Sequence, residues 1–141
     1  MVAQVAGPWV TMAVLCQKVV PNADGTVDVL GIVDGVVVEP EGHDALGLHP
    51  AAHLAMTAVV SLRAGDQRGS HVLALRAAYP TGAEGPTLQR NIEFSDDMPA
   101  ATLVVPLDMD IHEPGVYAFD VFYDGARLTR MALWVTYRHP S

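Results

Sequence analysis

The chain has 141 residues and a mass of 15.0 kDa, enough for one domain whose folding buries roughly two-thirds of the surface that the unfolded chain exposes. Sixteen acidic residues against eight basic ones give a net charge of −8 with no Lys/Arg cluster, so a nucleic-acid duplex or an anionic bilayer would be repelled. Charged residues make up only 17% of the chain, against about 25% in an average soluble domain, which leaves more neutral surface and points to self-association or a partner protein.

Cys16 is the single cysteine, so no intramolecular disulfide is available and the fold does not depend on an oxidising compartment. A cytoplasmic location is the expectation. The uncharged first seventeen residues lack the basic start of a signal peptide and are broken by Gly7-Pro8, and "AVLC" has Leu15 where a lipoprotein cleavage box carries a small residue. No run reaches the ~18 to 20 apolar residues that span a bilayer.

Strand signals dominate in chain order. Trp9 to Val20 is β-branched and apolar on both faces, as in a strand covered on both sides. "PNADG" follows, and "TVDVL" resumes with Val27 and Val29 on one face and Asp28 on the other, so Asp24-Gly25 reads as a hairpin turn. A calcium loop over the same stretch needs its first ligand at Val20 and its bidentate twelfth at Gly31, and fails at both. Asp34-Gly35 follows Gly31 so closely that a hairpin would leave a very short strand between turns, and a bulge or bend fits equally well.

Residues 40 to 53, "PEGHDALGLHPAAH", read as a surface loop. "LAMTAVVSLR" and "SHVLALRAAY" are strands around "AGDQRG", and "TLQRNIEF" is another before "SDDMPA". In "TLVVPLDMDIHEPG", Leu103, Val105, Leu107, Met109 and Ile111 alternate with Val104, Pro106, Asp108, Asp110 and His112, the period of a half-buried strand. Pro106 lacks a backbone donor and predicts an edge strand or a bulge. The last two strands meet at Asp124-Gly125, with Tyr117, Phe119, Val121 and Tyr123 on one face and Val116, Ala118, Asp120 and Phe122 on the other; Met131, Leu133 and Val135 fill a face of the return strand. The sum is an all-β, single-domain antiparallel β-sandwich of about eight strands over residues 1–141, with a small β-barrel as the alternative.

Five constellations have the residue types for chemistry. His43, His49 and His53 include an i, i+4 pair that can share zinc on a helix, but Pro50 stands between them and exposed loop histidines are the simpler reading. Asp108, Asp110, His112 and Glu113 can gather a hard cation, although period two places the acids on the solvent face of a strand, where they guard an edge. Asp96-Asp97 reads as turn residues, and Cys16, between apolar neighbours, as a buried and inert thiol. The rings of Tyr117, Phe119, Phe122, Tyr123, Trp134 and Tyr137 read as core, with any exposed ones free to form a sugar-stacking platform. No nucleophile, base and orienting group can be named together, so neither an enzyme nor a cofactor is expected.

The N-terminal "VTMAVLCQKVVPNADGTVDVLGIVDGVVVE", with its Gly31 to Asp34 step, and the C-terminal "EPGVYAFDVFYDGARLTRMALWV", with its Pro114 to Gly125 hairpin, resemble a family of small uncharacterised bacterial β-sandwich proteins described only as a domain of unknown function. The resemblance implies a sandwich fold and brings no catalytic residues. The expected function is a non-enzymatic interaction or assembly module that forms a homo-oligomer or docks on another protein. The alternative is a ligand-binding module for a carbohydrate or a divalent cation.

Overall fold

Nine strands build two facing sheets in the computed structural model, which describes residues 7–39 and 52–138. They are β1 (Trp9–Pro21), β2 (Val27–Ile32), β3 (Gly35–Val38), β4 (Ala52–Arg63), β5 (Gly69–Ala78), β6 (Glu84–Phe94), β7 (Ala100–Ile111), β8 (Gly115–Tyr123) and β9 (Ala126–Tyr137). One sheet runs β2-β1-β4-β7 and the other β3-β9-β8-β5-β6. Two sheets with free edges make a sandwich and not a closed barrel. No helix among the described residues is long and apolar enough to cross a membrane.

The core follows from alternation. Tyr117, Phe119 and Val121 of β8, Met131, Leu133 and Val135 of β9 and Leu73 and Leu75 of β5 meet Leu15, Met56, Ala58, Val60, Leu62, Val105 and Ile111 from the facing sheet. Tyr117 also donates its hydroxyl to the Glu113 carbonyl at 2.7 Å, tying the start of β8 to the corner that precedes it, as the tyrosine corner of many sandwiches does. Burial pushes the Tyr117 hydroxyl pKa above its usual value, and the ring reaches the core without stranding its polar end.

Strand count and pairing refine the sequence reading. Asp34 is a bend, one of the readings the sequence offered, and it is where the chain changes sheets. Val33 N–H donates to Leu15 O of the first sheet at 2.8 Å, and Asp34 O accepts from Trp134 N–H of the second at 2.9 Å. β3 then pairs with β9 in parallel, so the sandwich is not wholly antiparallel, and the extra short strand raises the count from about eight to nine.

β1 divides its length between two partners. Trp9 to Cys16 pairs with β4, while Cys16 to Pro21 pairs with β2. This second half and β2 form a ribbon in which Val27, Leu30 and Ile32 of β2 stand exposed; β1, expected to be covered on both faces, has only Leu15 and Cys16 buried, with Gln17 and Lys18 exposed. Asp24 closes its tip by accepting from Thr26 N–H at 3.0 Å and from Thr26 Oγ1, which lowers the Asp24 pKa. Pro106 lies on β7, an edge strand as its missing donor predicted.

Leu133 is fully buried at the centre of the second sheet. Leu133→Ala is expected to cost about 2 to 5 kcal/mol and Tyr117→Phe about 1 kcal/mol, both read from urea unfolding of the two variants beside the parent protein. A Tyr117→Phe protein as stable as the parent would show that the corner bond contributes nothing.

Candidate functional site

The structure redistributes the two metal candidates. His43 and His49 lie outside the described residues, whereas His53 belongs to β4 and not to a loop, because the strand starts at Ala52. It stands opposite Asp110 of β7 in register. Its Nδ1 is 2.6 Å from Asp110 Oδ1, and its Nε2 meets Asp108 Oδ1. A carboxylate at each nitrogen favours the protonated ring, and the Asp110 hydrogen bond is the main cause of a raised His53 pKa. His112 and Glu113 fall beyond the end of β7, and Glu113 is engaged through its backbone by Tyr117. Among the described residues no group of three or more His, Cys, Asp or Glu side chains is disposed to hold a metal ion.

Asp96 and Cys16 take the simpler readings, whereas the aromatic set, read as core, divides. Asp96 accepts from Arg68 Nε at 2.9 Å beside a turn closed between Ser95 and Met98. Cys16 is wholly buried. Tyr117, Phe119 and Tyr123 are core, Phe122 is half-buried, and Trp134 is 62% exposed.

What pattern reading did not assemble is the outer face of the five-stranded sheet. Inner positions of β8 and β9 are spent on the core, so Val116, Ala118, Asp120, Phe122, Arg130, Ala132 and Trp134 point away from it. Trp134 sits in register between Val116 of β8 and Gly35 of β3, and Val37, two residues along β3, is 60% exposed. Further along, Asp120 is only 4% exposed despite facing outward, because arginines cover it. Arg130 binds it bidentately, Nε to Oδ1 at 2.6 Å and Nη2 to Oδ2 at 3.1 Å, and Arg127 stands 4.0 Å away. The Arg130 hydrogen bond holds the Asp120 carboxyl below the usual range despite its burial. Arg76 of β5 lies opposite Asp120 in register and stacks on the Phe122 ring, 4.6 Å from its centre. The signal was present in the sequence as Asp120 amid apolar residues, but only the register brings the arginines of β5 and β9 to it.

A model of a family of unknown function, DUF6941, matches residues 11–136. The chain belongs to this family. No curated protein matches the DUF6941 chain. Among solved structures it is similar to an immunoglobulin-like protein from Pseudomonas aeruginosa, at 13% identity over 94% of each chain with a TM-score of 0.39. It is also similar to the Pseudomonas fluorescens alkylpurine DNA glycosylase AlkC bound to DNA containing an abasic site analog, at 12% identity and a TM-score of 0.39. That second match covers 72% of this chain but only 27% of the glycosylase. At these scores the fold assignment rests on the strand order and register described above.

A second histidine of the DUF6941 chain, outside the candidates read from sequence, anchors the β8–β9 turn. Asp124 and Gly125 both have positive φ, 48° and 87°, the type I′ pattern that Asp-Gly favours in a two-residue hairpin. The turn is fastened to β5: Asp124 N–H donates to Val72 O at 2.9 Å, and Val72 N–H donates to Asp124 Oδ1 at 2.9 Å. Asp124 Oδ2 is 2.6 Å from His71 Nδ1, while His71 Nε2 donates to Arg68 O at 2.8 Å. A carbonyl and a carboxylate are both acceptors, so His71 must donate from both nitrogens and is an imidazolium stacked on Tyr123 at 4.8 Å. The Asp124 bond raises the His71 pKa, and the Val72 N–H, followed by His71, lowers that of Asp124.

The signs define a window. A raised histidine pKa gives stability present below the ordinary value of 6.5 and lost as pH rises through the folded value; a lowered carboxyl gives stability present above 3.8 and lost as pH falls. Thermal unfolding followed from pH 6 to pH 9 is expected to show a loss of stability that His71→Gln reduces, the exposed His53, whose pKa is also raised, contributing to the remainder. An unchanged alkaline slope in His71→Gln would remove this histidine from the account.

Proposed function

We propose that this chain is a non-enzymatic protein-interaction or assembly module that docks, on a second copy or on another protein, through the outer face of its five-stranded sheet. The observation that carries the reading is the exposure of Trp134 and Val37 on that face, 62% and 60%, beside half-exposed arginines. Tryptophan and arginine are the side chains most enriched among the anchors of protein interfaces, because each combines a large apolar or planar surface with a polar end. The small fraction of charged residues supports the same reading, since fewer charges must be desolvated when the surface is covered. The exposed Trp134 ring also favours a second reading, a platform on which a sugar ring stacks.

Hydroxyl-radical footprinting, performed on dilute pure protein and again at high concentration and in extract from the source cells, tests the proposal. Trp134 is expected to be oxidised readily when dilute and protected several-fold under at least one of the other two conditions. Equal oxidation of Trp134 throughout would overturn the docking function. Protection by added oligosaccharide alone would favour the sugar platform.

A further inference from the structure

The basic half of this face has a chemistry of its own. The chain holds eight Lys and Arg residues in total, and three of them, Arg76, Arg127 and Arg130, converge on the buried carboxylate of Asp120. Asp120 saturates only part of their capacity. It takes two N–H groups of Arg130, while Arg127 comes no closer than 4.0 Å and Arg76 reaches Glu84 at 3.5 Å. A guanidinium has five N–H donors, so Arg76 and Arg127 retain donors that face solvent, their side chains 36% and 55% exposed. Three positive charges against Asp120 and Glu84 leave the patch with one net positive charge in a chain whose total is −8.

Arg76 lines a concavity, and Arg127 stands beside it on β9, opposite Phe122 in register. Val72, Ala74 and Phe122 form its floor, and Arg76, Thr87 and Gln89 from β5 and β6 form its polar wall. The Phe122 ring holds the Arg76 guanidinium in place before any ligand arrives, while the donors of Arg130 are spent on Asp120. Preset planar donors over an apolar floor match an anion attached to an apolar stem, which is what a Glu or Asp side chain on an extended peptide presents.

We infer that the concavity between β8, β5 and β6 binds an acidic peptide segment of a partner protein, with a carboxylate on Arg76 and Arg127 and the peptide stem on Phe122. This rests on the docking function proposed above and specifies the chemistry of the partner. Arg130 is a positioning residue here, since its donors are committed to Asp120.

The test is isothermal titration of the full chain with a fluorescein-free hexaglutamate peptide at physiological salt, where repulsion by distant charges is screened beyond about 8 Å. Saturable binding is expected, weakened about tenfold or more in an Arg76→Gln, Arg127→Gln double variant that melts like the parent protein, because two charge-assisted contacts are lost. Lys18→Gln, exposed on β1 of the other sheet, is expected to leave hexaglutamate binding intact. No binding by the parent protein, or undiminished binding by the double variant, would overturn the assignment. Displacement of the peptide by an equal concentration of inorganic phosphate would also overturn it, in favour of a small free anion. If hexaglutamate fails while Trp134 is still protected in footprinting, the acidic segment is wrong and the docking function stands; if Trp134 is never protected, the docking function falls and takes with it the acidic segment that rests on it.

Discussion

The inner faces of the two sheets have only each other for shelter, and that mutual burial governs the rest of the molecule. β8 shows the consequence most directly. With Tyr117, Phe119 and Val121 committed to the core, Val116, Ala118, Asp120 and Phe122 have no choice but to face outward. A slip of one residue would drive Asp120 into an apolar interior and expose three large core side chains, so the register is held by a penalty on both faces at once. The arginine-lined surface is therefore a by-product of core packing in its position, though not in its composition.

The change of sheets at Val33 and Asp34 has an equally local cause and a wider effect. Val33 N–H bonded to Leu15 O and Asp34 O bonded to Trp134 N–H carry the chain from one layer to the other within two residues. The step lays β3 alongside β9, and so sets Val37 and the side-chain-free Gly35 beside Trp134. Without it the exposed tryptophan would stand on a sheet edge. With it, the ring lies on a broad face bounded by strands on both sides.

Two histidines sit between pairs of acceptors, and their surroundings decide their worth. His53 bridges Asp108 and Asp110 on an edge where its side chain is 57% exposed, so solvent screens most of what the charges gain. His71 is 15% exposed, stacked on Tyr123, and joined to an aspartate that already holds the β8–β9 turn to β5 through two backbone bonds. The same ring chemistry thus amounts to surface charge pairing in one case and to a clamp on the second sheet in the other.

Alternation of apolar and polar residues, the Asp-Gly turns and the proline of β7 were legible in the sequence, and they determined an all-β sandwich, the inward faces of β7, β8 and β9, and the edge position of Pro106. These are properties of neighbours in the chain, which a period of two and the φ preferences of glycine and proline express directly. The sheet change at Asp34, the ribbon formed by the end of β1 with β2, the union of His53 with Asp108 and Asp110, and the gathering of Arg76, Arg127 and Arg130 about Asp120 were decided only by tertiary structure. Each joins residues from different strands, and which strands become neighbours depends on how two whole sheets bury their apolar faces together, a quantity that no single segment carries.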